Sequence, residues 1–501
     1  MNFSVSYVSD FFLYSYLAVW AVLSTFSLHR LFLVFLYHRH KNLGMEPRSN
    51  FKDLPRVTIQ LPIFNETEVV ERLLRSVSAI QYPRELLEIQ VLDDSTNECR
   101  SIAAGIVEDL RRSGVPIRHI WRGERSGFKA GALRNGMKEA AGEFFFILDS
   151  DFIPPPDILL RTIHYFTDKE IGCAQMRWDH VNRDFSLLTR VQAMLLDGHF
   201  AIEQAARNRS GRFFNFNGTA GIWRRACIEE AGGWQDDTLT EDLDLSYRAQ
   251  LAGWKFLFLP HVAVPGELPV QANAFKIQQR RWTKGSMQTF RKLIKRIWAS
   301  AIPLKAKVEA SFHLSVNCSY PFILLLAVLL FPAISRRVEF TFFIFSVKNS
   351  LLDYPLYLTA TVSIAIFYIA SQAAVGRGTL RAFRDLPLLL AVGVGVSLSN
   401  SLGVLEGIFL RTGEFERTPK RNVLSKERAS HWRRSLTILA PLSIMELALG
   451  AYFLHLIRLA FSLDRTAIIP FLFIFYFGFS FIGLNSMFQI EREGNKIPND
   501  K

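Results

Sequence analysis

"EFFFILDSDFIPPP", residues 143–156, sets two acids, Asp149 and Asp151, either side of Ser150 at the close of an almost wholly apolar run. A short apolar run bounded by a proline cluster reads as a buried strand. In an extended segment residues i and i+2 share a face, so the two carboxylates can converge on one point. Oxygen-only ligands favour a hard divalent cation, Mg2+ or Mn2+, and such an ion can in turn hold a diphosphate. Taken alone the pattern is weak, because Asp is common in turns after strands and caps the helices that follow.

Two earlier segments repeat the arrangement. "RVTIQLPIFNE" (56–66) and "EIQVLDDSTNE" (88–98) are strand-like runs that end in acids, the second in Asp93 and Asp94. In open α/β sheets ligands bind beyond the carboxyl ends of the strands, so acids leaving the sheet there point into a ligand crevice. Between the second and third acidic ends lies "RSGFKAGALRNGM" (125–137), where Lys129 sits among Gly127, Gly131 and Gly136. Glycine lets backbone approach a phosphate and lysine supplies a point charge, although the spacing is not that of a P-loop.

Farther on, "TLTEDLDLSYRAQLAG" (238–253) predicts a helix with Thr240 as N-cap, Glu241 and Asp242 in its first turn and Gly253 near its end. Acids that merely answer the helix dipole account for this piece equally well. The dipole lowers the pKa of Asp242, so a catalytic base there needs burial or a second charge to compensate. "QQRRWTKG" (278–285) brings Gln278, Arg281 and Trp282. It offers either a phosphate ligand beside a flat face for a sugar ring or base, or an interfacial Trp beside basic anchors.

With 501 residues, 49% of them hydrophobic, the chain can supply one large soluble domain and several membrane helices. A net charge of +13 admits nucleic acid, anionic lipid or a phosphorylated small molecule as partner. Its placement decides among them. Basic residues crowd beside apolar segments in "RTPKRNVLSKERASHWRR" (417–434) and "RKLIKRIW" (291–298), as on the cytoplasmic face of a membrane, and nucleic acid is not expected. The four cysteines include no C-x-x-C pair, which argues against a disulfide framework or a structural zinc.

Residues 11–28, "FFLYSYLAVWAVLSTFSL", can cross a bilayer, and the basic "HRHK" follows the apolar run rather than preceding it. This predicts an anchor over residues 1–50 that leaves residue 38 onward in the cytoplasm. A soluble α/β domain spans 51–270, 271–310 hold the "QQRRW" segment and interfacial amphipathic helices, and 311–501 form a C-terminal membrane region. Further membrane helices are expected at about 312–334, 355–375, 436–460 and 466–488. The block 386–409 contains the polar "SLSNS" (397–401) and is read as an interfacial or re-entrant helix rather than a span, which keeps the basic loop 410–434 on the side of the soluble domain; the alternative is that it spans and 338–352 crosses too. In 290–298, Phe290, Leu293, Ile294 and Ile297 recur at helical spacing between basic residues, the pattern of a helix lying on an anionic membrane surface.

The ordered set "DDS", "KAGAL", "DSD", "FNGTAGIWRR", "TED" and "QQRRW", over residues 56–285, resembles the processive family 2 glycosyltransferases, the inverting membrane enzymes with a GT-A fold that include cellulose and glucomannan synthases. "QLPIFNE", "VLDDST" and "FNGTAG" look most like the glucomannan synthase and xyloglucan-backbone glucan synthase-like branch. The resemblance implies a membrane-embedded synthase that moves hexose from GDP-mannose or UDP-glucose onto a growing β-linked glycan and exports it. Asp94, with Asp93 beside it, would hold the base or ribose, and Lys129 would lie near the diphosphate. Asp149 and Asp151 would bind Mg2+ or Mn2+, and Asp242, beside Glu241, would be the general base. Gln278 and Arg281 would position the donor, with Trp282, Asn217 and Gly218 on the acceptor side. "GEFERTPK" (413–420) is similar to a cellulose synthase gating loop, with Phe415, Thr418 and Lys420 in place and Arg417 where Val is usual. No regulatory domain is expected after the last apolar block. Transfer of a single hexose to a membrane lipid, and an inert scaffold or glycan channel, are the rival readings.

Overall fold

The computed structural model describes residues 2–44, 46–335, 341–342, 345–346, 350–410, 417–424, 432–436, 441–464 and 466–492. Its central sheet is built from β1 (Val57–Ile63), β2 (Leu87–Asp93), β3 (Ile117–Trp121), β4 (Phe144–Ile147), β5 (Ile171–His180), β6 (Gly221–Arg224) and β7 (Lys255–Gly266). They lie in the order β3-β2-β1-β4-β6-β5-β7. β1, β2, β3 and β4 run parallel, β6 is antiparallel to both β4 and β5, and β7 is parallel to β5.

The opening stretch explains why β4 is central. Phe144 and Phe146 enter one hydrophobic cluster with Val57, Ile59 and Ile89, whereas Phe145 and Ile147 enter another with Trp223, Phe256 and Phe258. A strand buried on both faces needs a continuous apolar run rather than alternation, which is what residues 144–147 supply. The strand directions then place the carboxyl ends of β1, β2, β4, β5 and β7 on one edge. The register Ile147↔Gly221 puts the start of β6 there too, with Asn217–Thr219 just before it.

Two expectations are corrected at this edge. β4 ends at Ile147, so Asp149 and Asp151 do not share a strand face; they lie in the turn that follows, where Phe152 N–H donates to Asp149 O at 3.2 Å. Asp93, expected in the crevice, is fully enclosed. Its Oδ1 accepts from Ser95 N–H at 2.7 Å and its Oδ2 lies 2.8 Å from His119 Nε2, so it ties β2 to β3 and shapes the turn that carries Asp94. Burial pushes this carboxyl up, but the bonds from His119 and Ser95 outweigh it and hold the group below its usual range.

Among the described residues four helices are long and apolar enough to cross a bilayer, Tyr14–His40, Leu304–Leu330, Pro441–Ser462 and Ile469–Met487, and a bent pair would make a fifth if it is one span. The span expected at 312–334 begins earlier, because Leu304–Ser315 runs through a single 3-10 turn into Ser319–Ser335. The helix over the expected 355–375 is Ser350–Ala374, of 25 residues, with an apolar stretch at Thr361–Ala374. There Gln372 Nε2 donates to Asp197 Oδ2 at 2.9 Å, binding the helix to the soluble domain. The block 386–409 forms two helices, Thr379–Gly395 and Ser397–Phe409, bent by 46°.

The second helix of that bent pair lies on Ala272–Ala299, one continuous helix that carries both the Q-x-x-R-W residues and the amphipathic stretch. Glycine makes the approach possible: a Cβ at Gly403 would stand 2.9 Å from Arg280 O, and one at Gly407 2.6 Å from Lys284 O. Glu406 between them pairs with Arg280 and, at 3.4 Å, with Lys284. The apolar stripe expected on a membrane surface is instead covered by protein, since Leu293 and Ile297 are buried with Leu243, Tyr247, Ala310 and Leu314. Two neighbouring helices were available to take it, a tertiary fact that helical spacing does not contain.

Lys276 of the same helix is buried 2.9 Å from Glu446 of Pro441–Ser462. Removing one partner of a buried ion pair leaves an uncompensated charge, at a cost of ~3–5 kcal/mol. Lys276→Met is therefore expected to lower the melting temperature of the detergent-solubilised protein strongly, and Lys276→Met with Glu446→Leu to recover most of the loss. Asp93→Asn is expected to cost ~1.5–3 kcal/mol at neutral pH. Because the folded-state pKa of Asp93 is depressed, that difference is present above the unfolded value and fades as pH falls through the folded one, so melts of both proteins should converge only at pH below the usual aspartate range.

Candidate active site

The acidic edge opens onto one cavity, and the chain-distant residues singled out in the sequence meet there. Asp94, Lys129, Asp149 and Asp151 line it from the parallel half of the sheet. Asn217 and Gly218 reach it from the turn before β6, and Glu241 and Asp242 from the helix Glu241–Leu251. Gln278, Arg281 and Trp282 complete it from one face of Ala272–Ala299, at positions i, i+3 and i+4.

Lys129 binds three of these parts together. Its ammonium donates to Asp149 and, at 2.8 Å, to the carbonyl of Gly218, while Asp149 N–H donates to Thr219 Oγ1 at 2.8 Å. Burial pulls the ammonium down, but Asp149 and Glu241 raise it further, so it is charged at all physiological pH. Gly218 has φ +81°, and a Cβ on it would lie 3.1 Å from Asp242 Oδ2 and 3.5 Å from Lys129 Nζ. This is a position where the backbone must pass close to two functional groups. Asp94 is gripped through both oxygens by Arg122, whose Nε lies 2.7 Å from Oδ1.

The helix start is also held from outside. Leu239 N–H donates to Gln288 Oε1 at 2.9 Å, and Gly285 packs directly on Thr240. Thr240 occupies the N-cap position but its hydroxyl makes no cap bond; it lies 3.3 Å from Thr289 Oγ1 instead. Gly253 ends the helix region with φ +101°, as expected. Burial, and then the charge of Glu241, raise Asp242 to about 7, against the Leu243 N–H bond and Lys129 that lower it. Glu241 is likewise raised, chiefly by burial. The compensation that a base at a helix N-terminus requires is thus present.

Across the cavity mouth lies the segment 417–424. Lys420 pairs with Asp151, Arg417 donates to Asn65 O, and Arg421 N–H donates to Glu267 Oε1 at 3.0 Å. Thr418 is buried and lines the cavity, whereas Phe415 lies outside the described residues. Among the described residues no cluster of three or more His, Cys, Asp or Glu could hold a metal alone. The pair Asp149 and Asp151 nevertheless fits a cation shared with a ligand: both line the cavity, and Asp151 Oδ1 is buried without a hydrogen-bond partner.

Sequence reasoning missed several lining residues. Glu66, half-buried and raised chiefly by desolvation, closes the β1 end; its signal was present as the acid ending "QLPIFNE". Trp178 and His180 at the end of β5 carried no comparable signal.

Residues 55–285 match the family model described as glycosyltransferase-like family 2. Glucomannan 4-beta-mannosyltransferase 1 of Oryza sativa subsp. japonica is 44% identical over 257 residues, covering 50% of this chain and 49% of that protein. Glucomannan 4-beta-mannosyltransferase 2 of Arabidopsis thaliana is 44% identical over 267 residues, 52% of this chain and 48% of that protein. The chain thus spans about half the length of the curated relatives it matches. Among solved structures, the mannosyltransferase PcManGT from Pyrobaculum calidifontis, in complex with GDP-Man and Mn2+, superposes with a TM-score of 0.53 at 20% identity, over 71% of this chain and 97% of that one. That likeness establishes the GT-A-like fold, and residues 55–285, which carry the sheet and the cavity, are similar to the glycosyltransferase-like family 2 model.

Proposed function

We propose that the chain is a membrane-embedded, inverting, processive hexosyltransferase that moves mannose from GDP-mannose onto a β-1,4-linked glycan and passes the product through its helices. One observation carries this reading: Asp242, raised to about 7, faces the same cavity as the acid pair and the aromatic face of Trp282. The names of the 44%-identical relatives support mannose over glucose. The basic segment 417–424, docked on the catalytic cavity, supports placing that cavity on the cytoplasmic side.

In this mechanism the donor's diphosphate lies between Lys129, Arg281 and the acid pair. Arg281, lowered by burial but supported by Glu241 and Asp149, stays cationic and holds the phosphates. A divalent cation, held by Asp149 and Asp151, would neutralise charge on the departing nucleotide. Trp282 orients the terminal acceptor sugar so that its hydroxyl lies in line with the anomeric carbon. Asp242 takes that hydroxyl's proton as the new bond forms, and a single displacement turns an α-linked donor into a β-linked product.

Since Asp242 serves as base only when ionised, activity should rise with pH through about 7 and be lost below it. Glu241→Gln removes the adjacent like charge and should move that limb to lower pH. Asp242→Asn should lower kcat by ~10²–10⁴-fold, and full activity in this variant would refute the base assignment. Purified protein is expected to consume GDP-mannose in preference to UDP-glucose, only with Mn2+ or Mg2+ present, and to yield polymer with β-1,4 linkages. A single-sugar glycolipid as sole product would overturn processivity.

A further inference from the structure

The cavity is lined by two kinds of surface: Asp149, Asp151, Lys129 and Arg281 supply charge, and Trp178, Trp282, Leu196 and Pro269 supply apolar surface. Charged walls suit a nucleoside diphosphate and uncharged aromatic walls suit pyranose rings, whose C–H faces are apolar and whose edges carry hydroxyls.

Trp178 is built as a platform. It is half-buried near the end of β5, where its register partner on β7 is Val264. Phe152 and Phe200 support it, with ring centroids at 5.1 Å and 4.9 Å, and its indole N–H points at Thr219 O, 3.4 Å away. The indole plane is therefore set before any ligand arrives. Trp282 stands beside it, centroids 6.5 Å apart and planes at 55°, so the two rings form a corner rather than a stack.

His180, two residues farther along β5, shares the strand face of Trp178 and lines the same cavity. Its Nε2 makes no hydrogen bond among the described residues. Burial, together with the charges of Arg183, Arg177 and Arg377, holds the ring neutral, with one nitrogen a donor and the other an acceptor. A neutral imidazole of this kind matches hydroxyl groups and not phosphate.

We infer that Trp178 and His180 form a second acceptor subsite for an uncharged β-linked hexose chain, in which Trp178 stacks on the sugar next to the one on Trp282 and His180 hydrogen-bonds a hydroxyl at its edge. The inference rests on the glycan-synthase reading above, and binding can test it separately from turnover. Calorimetry of the full-length protein with GDP present and β-1,4-mannohexaose as titrant should show about tenfold weaker binding for Trp178→Ala and for His180→Ala. Trp178→Phe should recover most of the affinity. GDP affinity should be the same in all four proteins, which reports an intact fold. Unchanged hexaose affinity in both alanine variants, or no hexaose binding by the unsubstituted protein, overturns the inference. Failure to transfer sugar from any nucleotide donor would instead sink the synthase reading while leaving the binding result to stand on its own.

Discussion

One half-buried ammonium organises the centre of this protein. Lys129 reaches from the Gly-rich helix to Asp149 after β4 and to the carbonyl of Gly218 before β6, so a helix, a parallel strand end and an antiparallel strand start share one cation. Each of these lies at the sheet edge, where several carboxylates would otherwise repel one another in a partly desolvated space. A charge taken from water is tolerated only when it is paired and hydrogen-bonded, and Lys129 meets that condition for Asp149. The same ammonium lowers Asp242 and Glu241, although not enough to offset their burial. The site therefore contains acids of different character: those beside a cation, suited to holding charge, and one held near neutrality, suited to moving a proton.

The segment 417–424 extends this balance outward. Lys420 does for Asp151 what Lys129 does for Asp149, but from a stretch far away in the chain. Arg72 fastens that stretch, donating to Asn422 Oδ1 at 2.7 Å and to Glu267 Oε2 at 3.1 Å. Lys129, Arg417 and Lys420 on the cavity wall thus each have an anionic or carbonyl partner on another element, so this part of the wall is held by pairs that cross the fold.

The sheet and most of its acids were legible because they follow from local rules. A wholly apolar run means burial on both faces, and parallel strands share a carboxyl edge, so 144–147 and the acids after the strands could be placed together from spacing alone. What was not legible depended on neighbours. Asp93 and Asp94 are adjacent and chemically identical, yet His119 and Ser95 draw one inward while Arg122 holds the other at the cavity. The stripe of Leu293 and Ile297 has the period of a membrane-surface helix, but that period says nothing about whether lipid or protein covers it. The turn at 149–151 escaped because a strand's alternation was carried two residues past its end. Trp178 and His180 belong to a sequence of ordinary strand character, and only the closure of β5 against β7 turns them toward the site.

The close seating of Ser397–Phe409 on the Q-x-x-R-W helix has an outcome for biogenesis. The helix that presents Gln278, Arg281 and Trp282 finds its covering partner more than a hundred residues downstream, at Gly403 and Gly407. During synthesis the sheet-bearing lobe emerges first, yet the cavity wall formed by Gln278, Arg281 and Trp282 gains that support only once the later helices have been made. Assembly order thus keeps the cavity of a half-made chain short of a braced wall until the downstream helices are seated.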